Sequence, residues 1–114
     1  MSSEQREVAD GTLVVRTAEN GDSKLISLCG ELDLANAATA EAALTASFED
    51  SAAPVVIDMR ELEFIDSTGI ALLVAALGHS EEGTEVRFIP SAFPAVSRVL
   101  ELTGLAERLP LAEA

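Results

Sequence analysis

The fold class of this chain follows from one short segment, 54–58, where Val-Val-Ile stands between a proline and an aspartate. Strands that helices cover on both faces of a sheet read as unbroken apolar runs, whereas strands with one solvated face alternate apolar and polar residues. Segments with helical periodicity precede and follow this run. The segment therefore predicts a central parallel strand, and the chain is predicted to be an α/β protein with crossover helices packed on a mixed sheet.

Three further segments have the composition of strands. Residues 12–17 are rich in β-branched side chains, and the turn residues Glu19-Asn20-Gly21-Asp22 lead into a second apolar segment at 24–32. This pattern predicts an N-terminal β-hairpin. Residues 85–89 alternate apolar and polar positions, which predicts another strand. The sheet is expected to have four to five strands, the fifth being a short edge strand within 105–114.

A helix is predicted from Asp33 to about Phe48, because alanine and larger apolar residues recur there at helical spacing. Asp33 or Asn36 is expected to cap its N-terminus. A second helix is predicted over 67–77, which is apolar on nearly every side and follows an irregular connection at 59–66. Both helices are expected to pack on the sheet.

The third predicted helix begins near Pro94 and ends at Gly104, since proline suits a first helical turn and glycine suits a helix end. Residues 1–10 are polar and are expected to form a flexible leader. The rest of the chain, 11–114, is expected to fold as one domain, because its length is typical of a single hydrophobic core.

The charge of the chain is strongly negative: 7 basic residues stand against 20 acidic ones, which gives a formal net charge of -13. Such a surface repels phosphate backbones and anionic lipid headgroups, so neither nucleic acids nor membranes are expected partners. The longest apolar run, Ile70 to Leu77, is far shorter than the about 20 residues of a membrane-spanning helix. The first residues lack the pattern of a secretory signal, so the chain is expected in the cytoplasm. The single cysteine, Cys29, is expected to be a buried, reduced thiol.

Most catalytic and cofactor motifs are missing from the sequence. It has no glycine-rich phosphate loop, no paired cysteine or histidine spacing for a metal, and no Gly-x-Ser-x-Gly turn. The only histidine, His79, is about 15 to 18 Å from Ser67 along a predicted helix, so the two cannot form a catalytic pair. Neither enzymatic activity nor a bound cofactor is expected. The alternative is a site in which Asp33, Asp58 and Asp66 hold a divalent ion, as in receiver-like phosphoacceptors.

The segment Asp66-Ser67-Thr68-Gly69 places two hydroxyls between a carboxylate and a glycine, at the point where a connection becomes a helix. Asp, Ser and Thr side chains accept hydrogen bonds from the free N–H groups of a helix start, so a capping role explains the segment. A serine at a helix N-terminus also suits phosphorylation, because the added phosphate meets free N–H groups and the positive end of the helix dipole. The two interpretations are compatible.

Four segments in order resemble one known family. They are Gly30-Glu31-Leu32-Asp33 at a strand end, the buried strand Val55-Val56-Ile57-Asp58, the segment 62–70, and Leu102-Thr103-Gly104-Leu105. In these segments the chain is similar to the STAS domain family, and within it to the bacterial anti-sigma factor antagonists. The resemblance covers roughly residues 12–108, and it implies a STAS-like sheet with three or more helices packed on it.

The resemblance also implies a function. In the family, the first hydroxyl of the Asp-Ser-[Ser/Thr]-Gly motif is phosphorylated by a serine kinase that is itself the anti-sigma factor, and a phosphoserine phosphatase reverses the reaction. By position this hydroxyl belongs to Ser67. The unphosphorylated form binds the kinase and releases the sigma factor, and ATP and magnesium belong to the kinase. Asp33, Asp66, Thr68 and Gly69 are expected to flank the site or to contact the partner.

The expected roles of the flanking residues differ. Asp33 is expected either to cap the first helix or to orient the serine towards the kinase. Thr68 can cap the second helix, and Gly69 permits a close approach of the backbone. The apolar residues of 62–65 are expected to pack in the core. A monomer is expected, with a dimer as the alternative, and the alternative function is a non-switching interaction or scaffold module of a stress-signalling complex.

Overall fold

A computed structural model of the chain describes residues 5–49 and 53–112. Within these residues it contains six strands and three α-helices, and a short 3-10 helix at Leu105–Glu107 follows the last of them. The elements in chain order are β1 (Gln5–Asp10), β2 (Leu13–Asn20), β3 (Ser23–Leu32), α1 (Ala37–Glu49), β4 (Val55–Asp58), β5 (Leu62–Ile65), α2 (Ser67–Glu81), β6 (Val86–Ile89) and α3 (Pro94–Leu102).

The six strands form one mixed sheet. β1, β2 and β3 pair antiparallel through two hairpins, whereas β4, β5 and β6 join in parallel. One edge of β3 pairs with β2; on the other edge, Lys24–Ser27 pair with β4 and Gly30–Leu32 pair with β5. The predicted α/β class, mixed sheet and N-terminal hairpin are confirmed, and the sheet has two strands that the sequence pattern does not predict.

The first of these strands, β1, lies within the segment 1–10 that is expected to be a flexible leader. Asp10 pairs with Leu13 across a two-residue turn, in which Gly11 has a φ of 62°. Glycine at the first position of a two-residue turn is a hairpin signal, but the strand before it is short and mostly polar, so its own residues give no apolar alternation. Pairing with β2 orders it instead. Residues 1–4 lie outside the described part of the chain.

The second additional strand, β5, lies within the connection 59–66. Its first and last residues, Leu62 and Ile65, are buried, and the two residues between them are exposed, so the alternation of a typical strand is missing. β3 shifts its pairing register with β5 between Gly30 and Glu31. β5 is therefore defined by its pairing with β3 and not by a local pattern.

The main core lies between the sheet and the two helices α1 and α2. α1 contacts β2 and β3, α2 contacts β5 and β6, and the two helices contact each other. The strand register aligns Ile26, Ile57 and Phe88 in one fully buried row across β3, β4 and β6. At the far end of the helices, His79 of α2 stacks on Phe48 of α1 with 4.0 Å between the ring centroids. The start of α2 lies at the opposite end of this helix pair.

The C-terminal segment extends the sheet beyond β6. Leu111 forms an isolated parallel bridge with Phe88, so the short edge strand expected within 105–114 is reduced to one bridge. α3 packs beside β5 and against the 3-10 helix, and it ends at Leu102, just before Gly104. No helix in the described ranges has both the length and the apolar composition needed to cross a membrane.

Candidate functional site

The predicted site residues lie at the ends of two paired strands. Leu32 ends β3, Ile65 ends β5, and these two residues are partners in the parallel register. Asp33 and Asp66 follow them directly, and the N–H group of Asp66 donates to the carbonyl of Leu32 at 3.2 Å. The structure thus brings both expected flanking carboxylates to one edge of the sheet, where Ser67 begins α2.

Asp66 caps α2 and links two loops. Its Oδ1 atom accepts hydrogen bonds from the N–H groups of Thr68 at 2.9 Å and Gly69 at 3.1 Å. Its Oδ2 atom accepts from the N–H group of Leu34 at 3.1 Å. One side chain therefore satisfies two of the free N–H groups at the helix start and holds the β3–α1 loop beside them.

Ser67 is the first residue of α2, and it is exposed. Its hydroxyl makes no hydrogen bond with the residues that the structure describes. Because Asp66 already caps the helix, capping accounts for the aspartate of the motif and requires no hydroxyl at the next position. The Ser67 hydroxyl is accessible at the positive end of the α2 dipole.

Thr68 and Gly69 form the first turn of α2. Thr68 does not cap the helix as expected, because its own N–H group is one of the two that Asp66 satisfies. Gly69 is buried: a Cβ atom at this position would lie 2.6 Å from Cγ1 of Ile65 and 2.9 Å from Cγ of Leu32. The glycine lets the helix start lie directly against the ends of β3 and β5, in agreement with the expected close approach.

The loop between β3 and α1 is closed by its own side chains. Oδ1 of Asp33 accepts from the N–H group of Ala35, and the N–H group of Asp33 donates to Oδ1 of Asn36, both at 3.0 Å. The Asn36 amide donates to the carbonyl of Glu31 at 3.0 Å. α1 begins only at Ala37, so both candidate caps make these bonds within the loop and to β3 instead of to the first helical turn. The other role expected for Asp33, a contact with a partner, stays a prediction.

Three exposed apolar side chains lie on the three segments that meet at the serine, and we call them the apolar rim: Leu34, Phe64 and Val74. Leu34 is 77% exposed, although its backbone is fixed by Asp66. Val74 is seven residues after Ser67, which places it on the same side of α2. Phe64 lies on β5, two residues before Asp66. Exposed apolar side chains on three segments that meet at one polar site make this region a candidate interaction surface.

Only part of this rim can be predicted from the sequence. The apolar residues of 62–65 are expected to pack in the core, which is correct for Leu62 and Ile65 but wrong for Phe64, since that ring is 43% exposed. Leu34 is missing from the expected site residues. Its only signal in the sequence is its position as a large apolar residue in the turn that follows β3.

Asp58 lies apart from the other two aspartates of the divalent-ion alternative. β4 pairs Asp58 with Ser27, which is five residues before Leu32 on β3, and five residues of strand span about 16 Å. The Asp58 carboxylate accepts hydrogen bonds from the backbone N–H, Nε and Nη2 groups of Arg60 at 3.0, 3.0 and 2.8 Å. Across residues 5–49 and 53–112, no cluster of three His, Cys, Asp or Glu side chains could hold a metal ion.

The Asp58–Arg60 pair gives a pH-dependent prediction. Burial opposes the charged form of Asp58, but the hydrogen bonds and the charge of Arg60 outweigh burial and hold the pKa of this carboxyl below its usual value. The folded pKa is lower than the unfolded pKa of about 3.9, so the pair stabilises the protein above that pH and loses its effect as the pH falls through the folded pKa. Arg60→Met should therefore lower the free energy of unfolding near neutral pH and lose this effect in acid.

Urea unfolding of wild type and Arg60→Met at about pH 7 and about pH 3 measures this difference. Arg87→Met is the matched control, because Arg87 pairs with Glu85 at 3.4 Å with both side chains exposed, and exposed pairs add little. An Arg60→Met effect that is the same at both pH values would contradict the prediction.

Comparisons with known proteins agree with this architecture. A family model described as the STAS domain matches residues 14–114. The anti-sigma-F factor antagonist RsfB of Mycobacterium tuberculosis is 33% identical to this chain over 99 residues, which are 85% of this chain and 79% of RsfB.

Solved structures have the same fold. An anti-sigma factor antagonist from Mycobacterium paratuberculosis superposes with a TM-score of 0.81 at 28% identity, covering 93% of this chain and 90% of that one. The anti-sigma factor antagonist SpoIIAA in its unphosphorylated form superposes with a TM-score of 0.66 at 18% identity, covering 98% of this chain and 89% of that one. The mixed sheet with its N-terminal hairpin is the fold of these proteins.

Proposed function

This chain belongs to the STAS domain family, and we propose that it is an anti-sigma factor antagonist that works by partner switching. Its unphosphorylated form binds a serine-kinase anti-sigma factor, which then releases the sigma factor that it held. Phosphorylation of Ser67 by the kinase ends the binding. A phosphoserine phosphatase removes the phosphate and so restores binding to the kinase.

The observation that carries this proposal is the state of the Ser67 hydroxyl. It is exposed and makes no hydrogen bond with described residues, while Asp66 alone caps the helix. A serine with no structural task at an accessible helix start fits a modification site. The names of the relatives support the antagonist role, and RsfB is the relative at 33% identity.

In the proposed reaction, Ser67 is the substrate of the kinase. Its Oγ atom attacks the γ-phosphorus of ATP, which the kinase holds together with magnesium; the Oγ–P bond forms, the bond from phosphorus to the bridging oxygen breaks, and ADP leaves. The hydroxyl proton passes to a base of the kinase. The phosphoserine carries a charge of about -1.5 to -2, and the N-terminus of α2 stabilises it.

The apolar rim explains how the unmodified site binds a partner. Leu34 and Phe64 offer exposed apolar contact area on the β3–α1 loop and on β5, the two segments that lead to the neutral hydroxyl, and the flanking carboxylates of Asp33 and Asp66 are engaged with backbone N–H groups. Phosphorylation brings a third negative charge into this small area. The partner surface that accepts an apolar rim and a neutral serine then faces a dianion, which weakens the complex.

A phosphorylation assay with the serine-kinase anti-sigma factor of the native host, ATP and magnesium tests the proposal. Wild type should incorporate phosphate at Ser67, identified by mass spectrometry, and Ser67→Ala should incorporate none. Thr68→Val is the matched control, because it removes the neighbouring hydroxyl but keeps the N–H group that Asp66 caps. Phosphate on another residue would contradict the assignment. Stable binding of the kinase without any phosphate transfer would favour the alternative, a non-switching scaffold module.

A further inference from the structure

β1 forms an outer edge of the sheet, and it pairs only with β2 among the described strands. The opposite edge differs, because the C-terminal segment partly covers β6: Phe88 donates its N–H group to Pro110 and accepts from Ala112. A free strand edge presents backbone groups that can pair with a strand of another chain. We propose that β1 pairs antiparallel with β1 of a second copy of this chain and so joins two sheets across a two-fold axis.

The hydrogen-bond pattern of the sheet determines which backbone groups of β1 are free. Gly30 donates its N–H group at 2.9 Å to the segment before β5, away from β2. Its partner Leu13 therefore directs its backbone groups away from β3, towards Asp10 of β1. Bonding direction alternates along a strand, so the N–H and carbonyl groups of Glu7 and Ala9 point outwards to the free edge.

The charges of β1 select one register for such a pair. A two-fold axis perpendicular to the sheet places one β1 residue opposite its own copy. With Val8 opposite Val8 of the second copy, each Arg6 faces an Asp10, and each Glu7 faces an Ala9. Registers centred on Arg6 or Glu7 place like charges opposite each other, which destabilises an antiparallel pair. The register centred on Ala9 leaves the opposite charges unpaired.

The side chains needed for the Val8-centred register are available. Val8 is 50% exposed. Arg6 is exposed and has no ion pair or side-chain hydrogen bond within the described ranges. Asp10 accepts a hydrogen bond from the Thr39 hydroxyl through Oδ2 at 2.6 Å, which leaves Oδ1 for a second partner. Because the backbone groups of Glu7 and Ala9 point outwards, Val8 and its copy form a non-hydrogen-bonded pair, in which the two side chains come close together.

The proposed dimer does not depend on the antagonist function. β2 and β3 lie between β1 and β5, so the paired edge is separate from the serine site. Two copies joined in this way would each keep an accessible Ser67. The dimer and the antagonist function are therefore tested by separate experiments, and failure of one does not affect the other.

Sedimentation equilibrium of the full chain measures self-association, over about 10 μM to 1 mM because a single strand pair buries little area. Arg6→Asp replaces two attractive cross-strand pairs with two repulsive ones, and it should weaken the dimer about tenfold or more. The double variant Arg6→Asp with Asp10→Arg restores opposite charges and should recover most of the affinity. Arg98→Asp, at an exposed position of α3, changes the net charge equally and should leave the dimer unchanged.

A cross-linking experiment tests the register directly. Val8→Cys places two thiols in a non-hydrogen-bonded pair about 4.5 Å apart at Cα, which suits a disulfide. Ala9→Cys is the matched control: the two copies of residue 9 lie two residues out of register, too far apart for a disulfide. Mild oxidation should give a covalent dimer with Val8→Cys only. Oxidation of the wild type measures any cross-linking through the native Cys29.

Three results would overturn the proposal: a wild-type monomer at every concentration, an Arg6→Asp variant that associates as wild type does, or equal cross-linking of both cysteine variants. Thermal unfolding of each variant is measured alongside, since the substituted side chains are on the outer strand and should leave the melting temperature near that of wild type. If a charge variant fails to fold, the two cysteine variants still decide the question.

Discussion

Replacing Gly30 with alanine should lower the free energy of unfolding by more than about 3 kcal/mol. Gly30 has a φ of 95°, which an L side chain rarely adopts, and a Cβ atom there would lie 1.9 Å from the carbonyl oxygen of Thr12. That oxygen belongs to the backbone of the β1–β2 turn, directly before β2, so it cannot move without disturbing the β2–β3 ladder. Against a total stability of about 5 to 15 kcal/mol, the loss is severe.

Gly83→Ala is the matched control for this prediction. Gly83 has a φ of 107°, close to that of Gly30, but a Cβ atom there would meet no heavy atom within 4 Å. Gly83→Ala therefore has only the cost of placing alanine at a positive φ. The difference between the two variants in the free energy of unfolding, measured in urea, isolates the contact with Thr12. Equal losses in the two variants would show that the contact contributes nothing.

The Gly30 variant should also affect the serine site. Gly30 stands where the register between β3 and β5 shifts, and the paired ends of these two strands position Asp33 and Asp66. If alanine moves β3 away from β2, the ends of β3 and β5 move with it. We expect Gly30→Ala to weaken partner binding as well as stability, whereas Gly83→Ala, which lies at the other end of the parallel strands, should leave binding unchanged.

The fold class can be predicted because its signals are local. The apolar run at 54–58, in which Val55 and Ile57 are buried and Val56 is half-buried, and the three helical patterns each arise from adjacent residues. β1 and β5 are missed for a different reason. Neither has apolar alternation, and each is stabilised by a neighbour that is distant in the sequence or across a turn: β5 pairs with Gly30–Leu32, and β1 with β2. Pairing energy of this kind leaves no trace in a short window.

The site likewise has a part that is predictable from local sequence and a part that depends on distant residues. The position of Ser67 at the start of a helix is predictable from the residues around it, because capping residues and the apolar pattern of α2 are adjacent in the sequence. The link from Asp66 to Leu34 spans 32 positions, and it exists only because β3 and β5 end side by side. The same distance explains why the exposed Leu34 is not found from sequence. A side chain that caps a helix and also holds a distant loop is visible only in three dimensions.

Ser67→Asp should abolish most binding to the anti-sigma factor, by about 100-fold or more, and leave the fold intact. The new carboxylate adds negative charge next to Asp66 and Asp33, inside the proposed partner surface. In the free protein the same charge is at the first position of α2, where the helix dipole stabilises it by about 0.3 to 1 kcal/mol. Titration calorimetry with the purified kinase measures the affinity, and thermal unfolding measures stability.

Two variants separate the local charge from other effects. Ser67→Ala removes the hydroxyl without adding charge, and it should bind within about threefold of wild type, since loss of one exposed hydroxyl costs little. Thr84→Asp adds the same charge just before β6, at the opposite end of the parallel strands from Ser67. It should bind as wild type does. Equal weakening by Thr84→Asp would assign the effect to net charge, and a lowered melting temperature for Ser67→Asp would assign Ser67 a structural role.

The size of the charge at position 67 predicts an order of partner affinity for three forms of the protein. Aspartate at position 67 adds one negative charge, whereas phosphoserine adds about -1.5 to -2 and is bulkier. If repulsion at the interface is the cause, affinity should fall from the unmodified protein to Ser67→Asp and again to the phosphorylated protein. A phosphorylated protein that binds more tightly than the unmodified protein would mean that the partner recognises the phosphate, and the direction of the switch would be reversed. Wild-type affinity in Ser67→Asp would leave Ser67 without a switching role and favour the scaffold function.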